Sequence, residues 1–268
     1  MSTTPDTPRS AEETVAQVRD RYTLVATGGM PSCCDTEPLG YDPRVLATVP
    51  ASANLRLGCG APIGRLALRA GETVLDLGSG PGLDALLAAH QVGPTGRVIG
   101  VDMTPAMLER ARGAAAEAGI GWAEFRAGRL EALPVAAASI DAVTSNCVIN
   151  LVPDKVAVFR EIVRVLRPGG RLVVSDIVLD GALPAVVADD LLAWAGCIAG
   201  AAPRAAYLAW IASAGLTGLA ILEDFDYLEA IDGALPEPVR ERMAAAGVPP
   251  GALRGVVRSI TWEARRPA

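Results

Sequence analysis

"VLDLGSGPGLDALLAA", residues 74–89, decides the fold: an apolar run, a turn holding three glycines in five residues, then a helix-forming stretch. Gly78, Gly80 and Gly82 let the backbone turn tightly and come close to a ligand with no side chain in the way. Asp76 lies inside the apolar run just before the turn. The next apolar run, "RVIGVD" (97–102), ends on Asp102. That acid sits about 20 residues past the glycines, where a carboxylate can accept hydrogen bonds from ribose hydroxyls. Dinucleotide and nucleoside folds both use such a turn, but GSGPG departs from the dinucleotide pattern GxGxxG. An acid at the end of a buried strand is also hard to explain as packing.

Working outward, the period is regular. "TVLDLG" (73–78), "RVIGVD" (97–102), "AEFRAG" (123–128), "IDAVTSN" (140–146) and "GRLVVSDIV" (170–178) read as strands, with helices expected near 82–91, 105–118 and 153–167. Strands alternating with helices of this length imply βαβ units and a parallel sheet covered on both faces. "RPGG" (167–170) is expected to end a helix and turn directly into a strand. Beyond residue 180 two helical stretches, near 186–200 and 203–214, precede two further strands at 218–225 and 256–265. The expected fold is therefore α/β and Rossmann-like, with seven mostly parallel strands. We divide the chain into an N-terminal preamble (1–70), a core (71–180) and C-terminal cap helices with the last strands (181–268). Residues 11–26 read as an amphipathic helix, and "TGGMPSCCDTEPLGYDP" (27–43) as loop.

A chain of 268 residues with a net charge of −6 and no basic stripe is not expected to bind nucleic acid. No apolar run approaches the roughly 20 residues that span a membrane, and the polar N-terminus reads as no secretory signal. We expect a cytoplasmic protein, in which the five cysteines are thiols.

"VLDLGSGPG", "VIGVDMTPAMLERAR", "GRLEALP" (128–134) and "RVLRPGGRLVVSD" (164–176) together resemble the class I S-adenosylmethionine (SAM)-dependent methyltransferases over residues 71–178. The resemblance implies that the Gly78–Gly82 backbone holds the methionine part of SAM and Asp102 the ribose. Met103 would pack on the adenine, with Arg129 and Leu130 at its edge. Asp76, Ser79 and Asn146 complete the implied cofactor-binding set. Arg129 departs from the acid that many members carry at its position.

Methyl acceptors are commonly activated by a general base. The single histidine, His90, falls near the C-terminal end of a helix and reads as a surface or capping residue. The cysteines offer other chemistry. Taken singly, Cys59, Cys147 and Cys197 read as small buried apolar residues. Their contexts, "SANLRLGCGAP", "SNCVINLVPDK" and "GCIAGA", resemble those of arsenite methyltransferases, extending the resemblance over residues 33–215. It implies that Cys59, Cys147 and Cys197 bind trivalent arsenic as thiolates, and that Cys33 or Cys34 takes part in thiol exchange. It further implies SAM as methyl donor, a trivalent arsenical as substrate, and an external thiol reductant of the glutathione or thioredoxin type. A monomer acting in arsenic detoxification is expected. Arsenic(III) is soft and thiophilic, so thiolates suit it. Ala61 stands where the family usually has Asn. Two other readings remain: a methyltransferase acting on carbon or oxygen of a small metabolite, with Asp176 as base, and a thiol-based metalloid-binding protein.

Overall fold

The structure, a computed structural model, describes residues 10–30, 39–188, 198–231, 235 and 237–268. Cys33, Cys34, Cys197 and most of the helical stretch expected near 186–200 lie outside the described residues.

The described residues build one sheet. Its strands are β1 (Thr73–Leu77), β2 (Arg97–Asp102), β3 (Ala123–Ala127), β4 (Ile140–Asn146), β5 (Leu166–Leu179), β6 (Ala202–Pro203), β7 (Thr217–Asp226) and β8 (Val257–Arg265). The order is β3-β2-β1-β4-β5-β8-β7, with the two-residue β6 beside β5. β1 to β6 pair in parallel, whereas β8 runs antiparallel to both β5 and β7. The expected seven-strand, mostly parallel sheet is thus present, with β6 as an eighth member.

Helices α1 (Ala11–Ala26), α2 (Leu83–Val92), α3 (Pro105–Glu117), α4 (Lys155–Val165), α5 (Arg204–Ser213) and α6 (Glu237–Ala245) pack around it. β1 and β4 are near-continuously buried because both faces of the sheet are covered; Val74, Leu75, Leu77, Ala142 and Val143 are fully buried. Local signals set the helix ends. Ser10 and Glu13 form a capping box at the start of α1, and the Asp154 carboxylate caps α4 by accepting from Ala157 N–H.

One expectation is corrected. The Arg167–Gly170 segment does not turn a helix into a strand: α4 ends at Val165, and β5 already begins at Leu166. Leu166 pairs with Ile140 and Arg171 with Ala142, so four residues bulge opposite Asp141 alone. Gly169, at φ +77°, supplies the left-handed residue the bulge needs, and Arg167 pairs with Asp141.

Candidate active site

The strand order reverses between β1 and β4: β2 and β3 lie on one side, β5 and β8 on the other. Ligands of open α/β sheets bind at such a switch point, beyond the carboxyl ends of the strands. A cleft of about 1070 Å³, counted out to its open mouth, lies there. Gly78–Pro81, Asp102–Thr104 and Asn146–Val148 line it from the ends of β1, β2 and β4, and α1 lines it through Val15, Val18 and Tyr22.

Gly78, Gly80 and Gly82 all have positive φ, at +64°, +51° and +98°. A Cβ on Gly78 would come within 2.3 Å of Val148, so the turn can press against the residue after Cys147 only without a side chain. Gly80 differs: a Cβ there would meet nothing within 4 Å, because its α-carbon borders the open cleft. Asp102 fixes the turn by accepting from Gly80 N–H at 2.9 Å and Thr104 N–H at 2.8 Å.

Three acids crowd this end. Burial pushes the Asp76 carboxyl well up, and the neighbouring Asp84 and Asp102 push it further. Burial raises Asp84 to about 6, opposed by hydrogen bonds from Tyr41 and Asn146. Asp102 is also raised by burial. Asp76 Oδ2 and Ser79 Oγ are buried with no hydrogen-bond partner among the described residues. A cleft with buried acids and orphaned polar oxygens favours a ligand that brings donors and positive charge. Arg129 adds little positive charge of its own, since Glu12 of α1 holds it at 2.7 Å and Glu131 at 2.8 Å. Its guanidinium therefore ties α1 across the cleft. Met103 is part-exposed on the cleft wall, whereas Leu130 is buried beside it.

Cys147 brings sulfur to the cleft wall. Cys59 and Cys147 are 0% and 5% exposed, and neither is in a disulfide. Their Sγ atoms and a carboxylate oxygen of Asp176 lie within 4.8 Å of one another. Sequence positions 59, 147 and 176 meet because the loop before β1 folds over the ends of β4 and β5. Gly58 and Gly60 permit this approach: a Cβ on Gly58 would lie 2.7 Å from Asn146 Nδ2, and one on Gly60 2.5 Å from Ser175 Oγ. Cys147 adopts φ +59°, a strained conformation for a non-glycine residue, and its N–H donates to Ser175 O at 2.8 Å. Asp176 accepts from Asn150 Nδ2 at 2.7 Å, Ile177 N–H at 3.0 Å and Tyr207 Oη at 3.0 Å. Burial nonetheless raises its carboxyl to about 7.

Sequence reasoning missed two residues here. Tyr41 donates its hydroxyl proton to Asp84 Oδ1 at 2.7 Å and accepts from Asn146 Nδ2 at 2.9 Å. Asp84 carried a signal, as the one acid in the otherwise apolar start of α2. Tyr41 carried none, lying in a passage that reads as loop. His90 is exposed in the last turn of α2, away from this chemistry.

Comparison with known proteins agrees with this geometry. A methyltransferase domain family matches residues 68–227. The chain is 46% identical over 213 residues to an arsenite methyltransferase of Halobacterium salinarum, covering 72% of this chain and 54% of that protein. It spans about half the length of the arsenite methyltransferases it matches in this way. The crystal structure of the Chlamydomonas reinhardtii arsenic(III) S-adenosylmethionine methyltransferase superposes with a TM-score of 0.59 at 31% identity, over 87% of this chain and 73% of that one. A [4+2]-cyclase, SpnF, has a TM-score of 0.61 at 20% identity over the whole of both chains, a likeness of fold alone. Matched over more than half its length, the chain belongs to the methyltransferase domain family, and within that family it is similar in sequence and fold to proteins named as arsenite methyltransferases.

Proposed function

We propose that this protein transfers the methyl group of SAM to trivalent arsenic held by the thiolates of Cys59, Cys147 and Cys197, in arsenic detoxification. The observation that carries the reading is the convergence of the Cys59 and Cys147 sulfurs, with Cys147 lining the glycine-turn cleft. Cys197 lies outside the described residues, but its neighbour Ile198 is buried in the same apolar cluster as Cys59 and Cys147.

The residues present suit SAM. Orphaned Asp76 Oδ2 and Ser79 Oγ offer acceptors, the acids favour a cationic ligand, and the open side of Gly80 gives a backbone cradle. When bound, SAM supplies an electrophilic methyl group and leaves as a neutral thioether. Asp102 would take the ribose hydroxyls; Met103, Arg129 and Leu130 would border the adenine.

Arsenic bound by three sulfurs keeps its lone pair. That pair forms the As–C bond as the S–CH3 bond breaks, and arsenic is formally oxidised by two electrons. An external thiol reductant, of the glutathione or thioredoxin type, returns it to the trivalent state, with Cys33 or Cys34 exchanging thiols. No proton leaves arsenic in this step, so the chain needs to position rather than to titrate. Such a site has little use for a histidine, in keeping with the remote placement of His90. No helix of the described residues is long and apolar enough to cross a membrane. A cytoplasmic monomer divided into preamble, core and cap suits the reading.

The test separates the two halves of the site. Cys147→Ser and Cys197→Ser are expected to abolish arsenite binding while SAM affinity stays within about threefold of wild type. Normal arsenite methylation by either variant refutes the three-thiolate assignment.

A further inference from the structure

Asn146 belongs to the expected cofactor-binding set, and its side-chain amide is engaged by the protein itself. Oδ1 accepts from Cys59 N–H at 3.0 Å. Nδ2 donates to Gly60 O at 2.7 Å and to Tyr41 Oη at 2.9 Å, with Asp84 Oδ2 at 3.4 Å. One amide thus grips the thiol loop at a donor and an acceptor and, on its other side, meets the Tyr41–Asp84 pair in the cofactor cleft. Asn146 is also the last residue of β4, covalently joined to Cys147. Two further backbone groups of these cysteines are held as well: Cys59 O accepts from Ser259 Oγ at 2.6 Å, and Cys147 N–H donates to Ser175 O.

We propose that Asn146 is a positioning residue for the arsenical site: it sets the distance between the Cys59 and Cys147 sulfurs and links that distance to the Tyr41–Asp84 side of the cofactor cleft. The inference rests on the thiolate reading above and deepens it. Chemistry selects Asn for the task. Asp has no donor for Gly60 O and would set a carboxylate against Asp84. Gln is one methylene longer, and the closeness of Gly58, whose Cβ would lie 2.7 Å from Nδ2, leaves no room for it.

The test uses phenylarsine oxide, which is captured by two thiols at the right separation. Asn146→Asp keeps the shape and removes the donor. Phenylarsine oxide affinity is expected to fall about 10–100-fold, the effect of leaving buried Gly60 O without its donor and facing a carboxylate oxygen, while the SAM dissociation constant changes by less than about threefold. In turnover, KM for arsenite rises and KM for SAM does not, a split that a general loss of folding would not produce. Tyr41→Phe leaves the grip on Cys59 in place and removes two bonds on the cofactor side, the one Tyr41 donates to Asp84 and the one it accepts from Asn146. It is expected to weaken phenylarsine oxide binding by about tenfold or less, and it provides the measurement should Asn146→Asp fold poorly. Wild-type phenylarsine oxide affinity in Asn146→Asp overturns the inference. So does an equal loss of SAM and phenylarsine oxide binding, which makes Asn146 a cofactor contact. If the wild-type protein fails to capture phenylarsine oxide, the thiolate reading falls and the inference with it.

Discussion

Gly60→Ala asks whether the seating of one loop controls the arsenical site. The new Cβ would lie 2.5 Å from Ser175 Oγ, 2.7 Å from Ser175 Cβ and 3.2 Å from Thr261 Oγ1. Ser175 cannot retreat, because it is paired to Asn146 on one side and to Thr261 on the other in the middle of the sheet. Ordinary carbon contacts need about 3.5–4.0 Å, so the loop must lift by about 1 Å. That displacement carries the Cys59 backbone beyond good hydrogen-bond range of Asn146 Oδ1 and Ser259 Oγ, which it reaches at 3.0 and 2.6 Å. The sheet stays intact, so stability should fall by only about 1–3 kcal/mol, the usual cost of overpacking. Arsenite affinity, measured by equilibrium dialysis with mass-spectrometric counting of arsenic, should fall about 10–100-fold, since Cys59 no longer sits opposite Cys147. Adding Ser175→Gly should restore binding; Ser175→Ala should do so only in part, because its Cβ remains. Wild-type arsenite affinity in Gly60→Ala would refute the claim that this contact seats the thiol.

The glycine turn should divide in two. Gly80→Ala meets open space but must hold a positive φ, at a cost of about 1–2 kcal/mol, so it should weaken SAM binding about tenfold or more by isothermal titration while lowering the melting temperature by only a few degrees. Gly78→Ala collides with Val148 as close as 2.3 Å and should lower the melting temperature markedly as well as abolish SAM binding. Asp176 makes a pH prediction. Its carboxyl is raised by burial to about 7 from 3.8, so the folded protein retains a proton that the unfolded chain has released. Stability from this group is complete below about pH 4 and is lost as pH rises towards 7; Asp176→Asn should flatten that slope in urea titrations. An unchanged slope would show that the carboxyl is already ionised in the folded protein.

Much of the fold was legible because βαβ repetition writes itself locally. β2 and β4 have the limits read from their apolar runs, and α3 ends one residue earlier than expected. The bulge at Arg167–Gly170 was not legible: Pro-Gly-Gly marks a turn, and only pairing with β4 shows that the strand continues through it. The site divides in the same way. The glycine turn and Asp102 are readable from spacing along one βαβ unit. The meeting of Cys59, Cys147 and Asp176 depends on a loop crossing the strand ends, and resemblance alone pointed to the two cysteines. Asp176 was considered as a base for another chemistry; beside the sulfurs it is buried and held by three donors. Tyr41 was invisible because its role depends on an acid 43 positions away.

Turnover with product speciation tests the central claim most directly. Protein incubated with SAM, arsenite and a thiol reductant should yield methylated arsenic and S-adenosylhomocysteine, with none formed by Cys147→Ser. Intact SAM binding with no methylated arsenic, in the same reducing mixture, would contradict the account and turn attention to a carbon or oxygen acceptor.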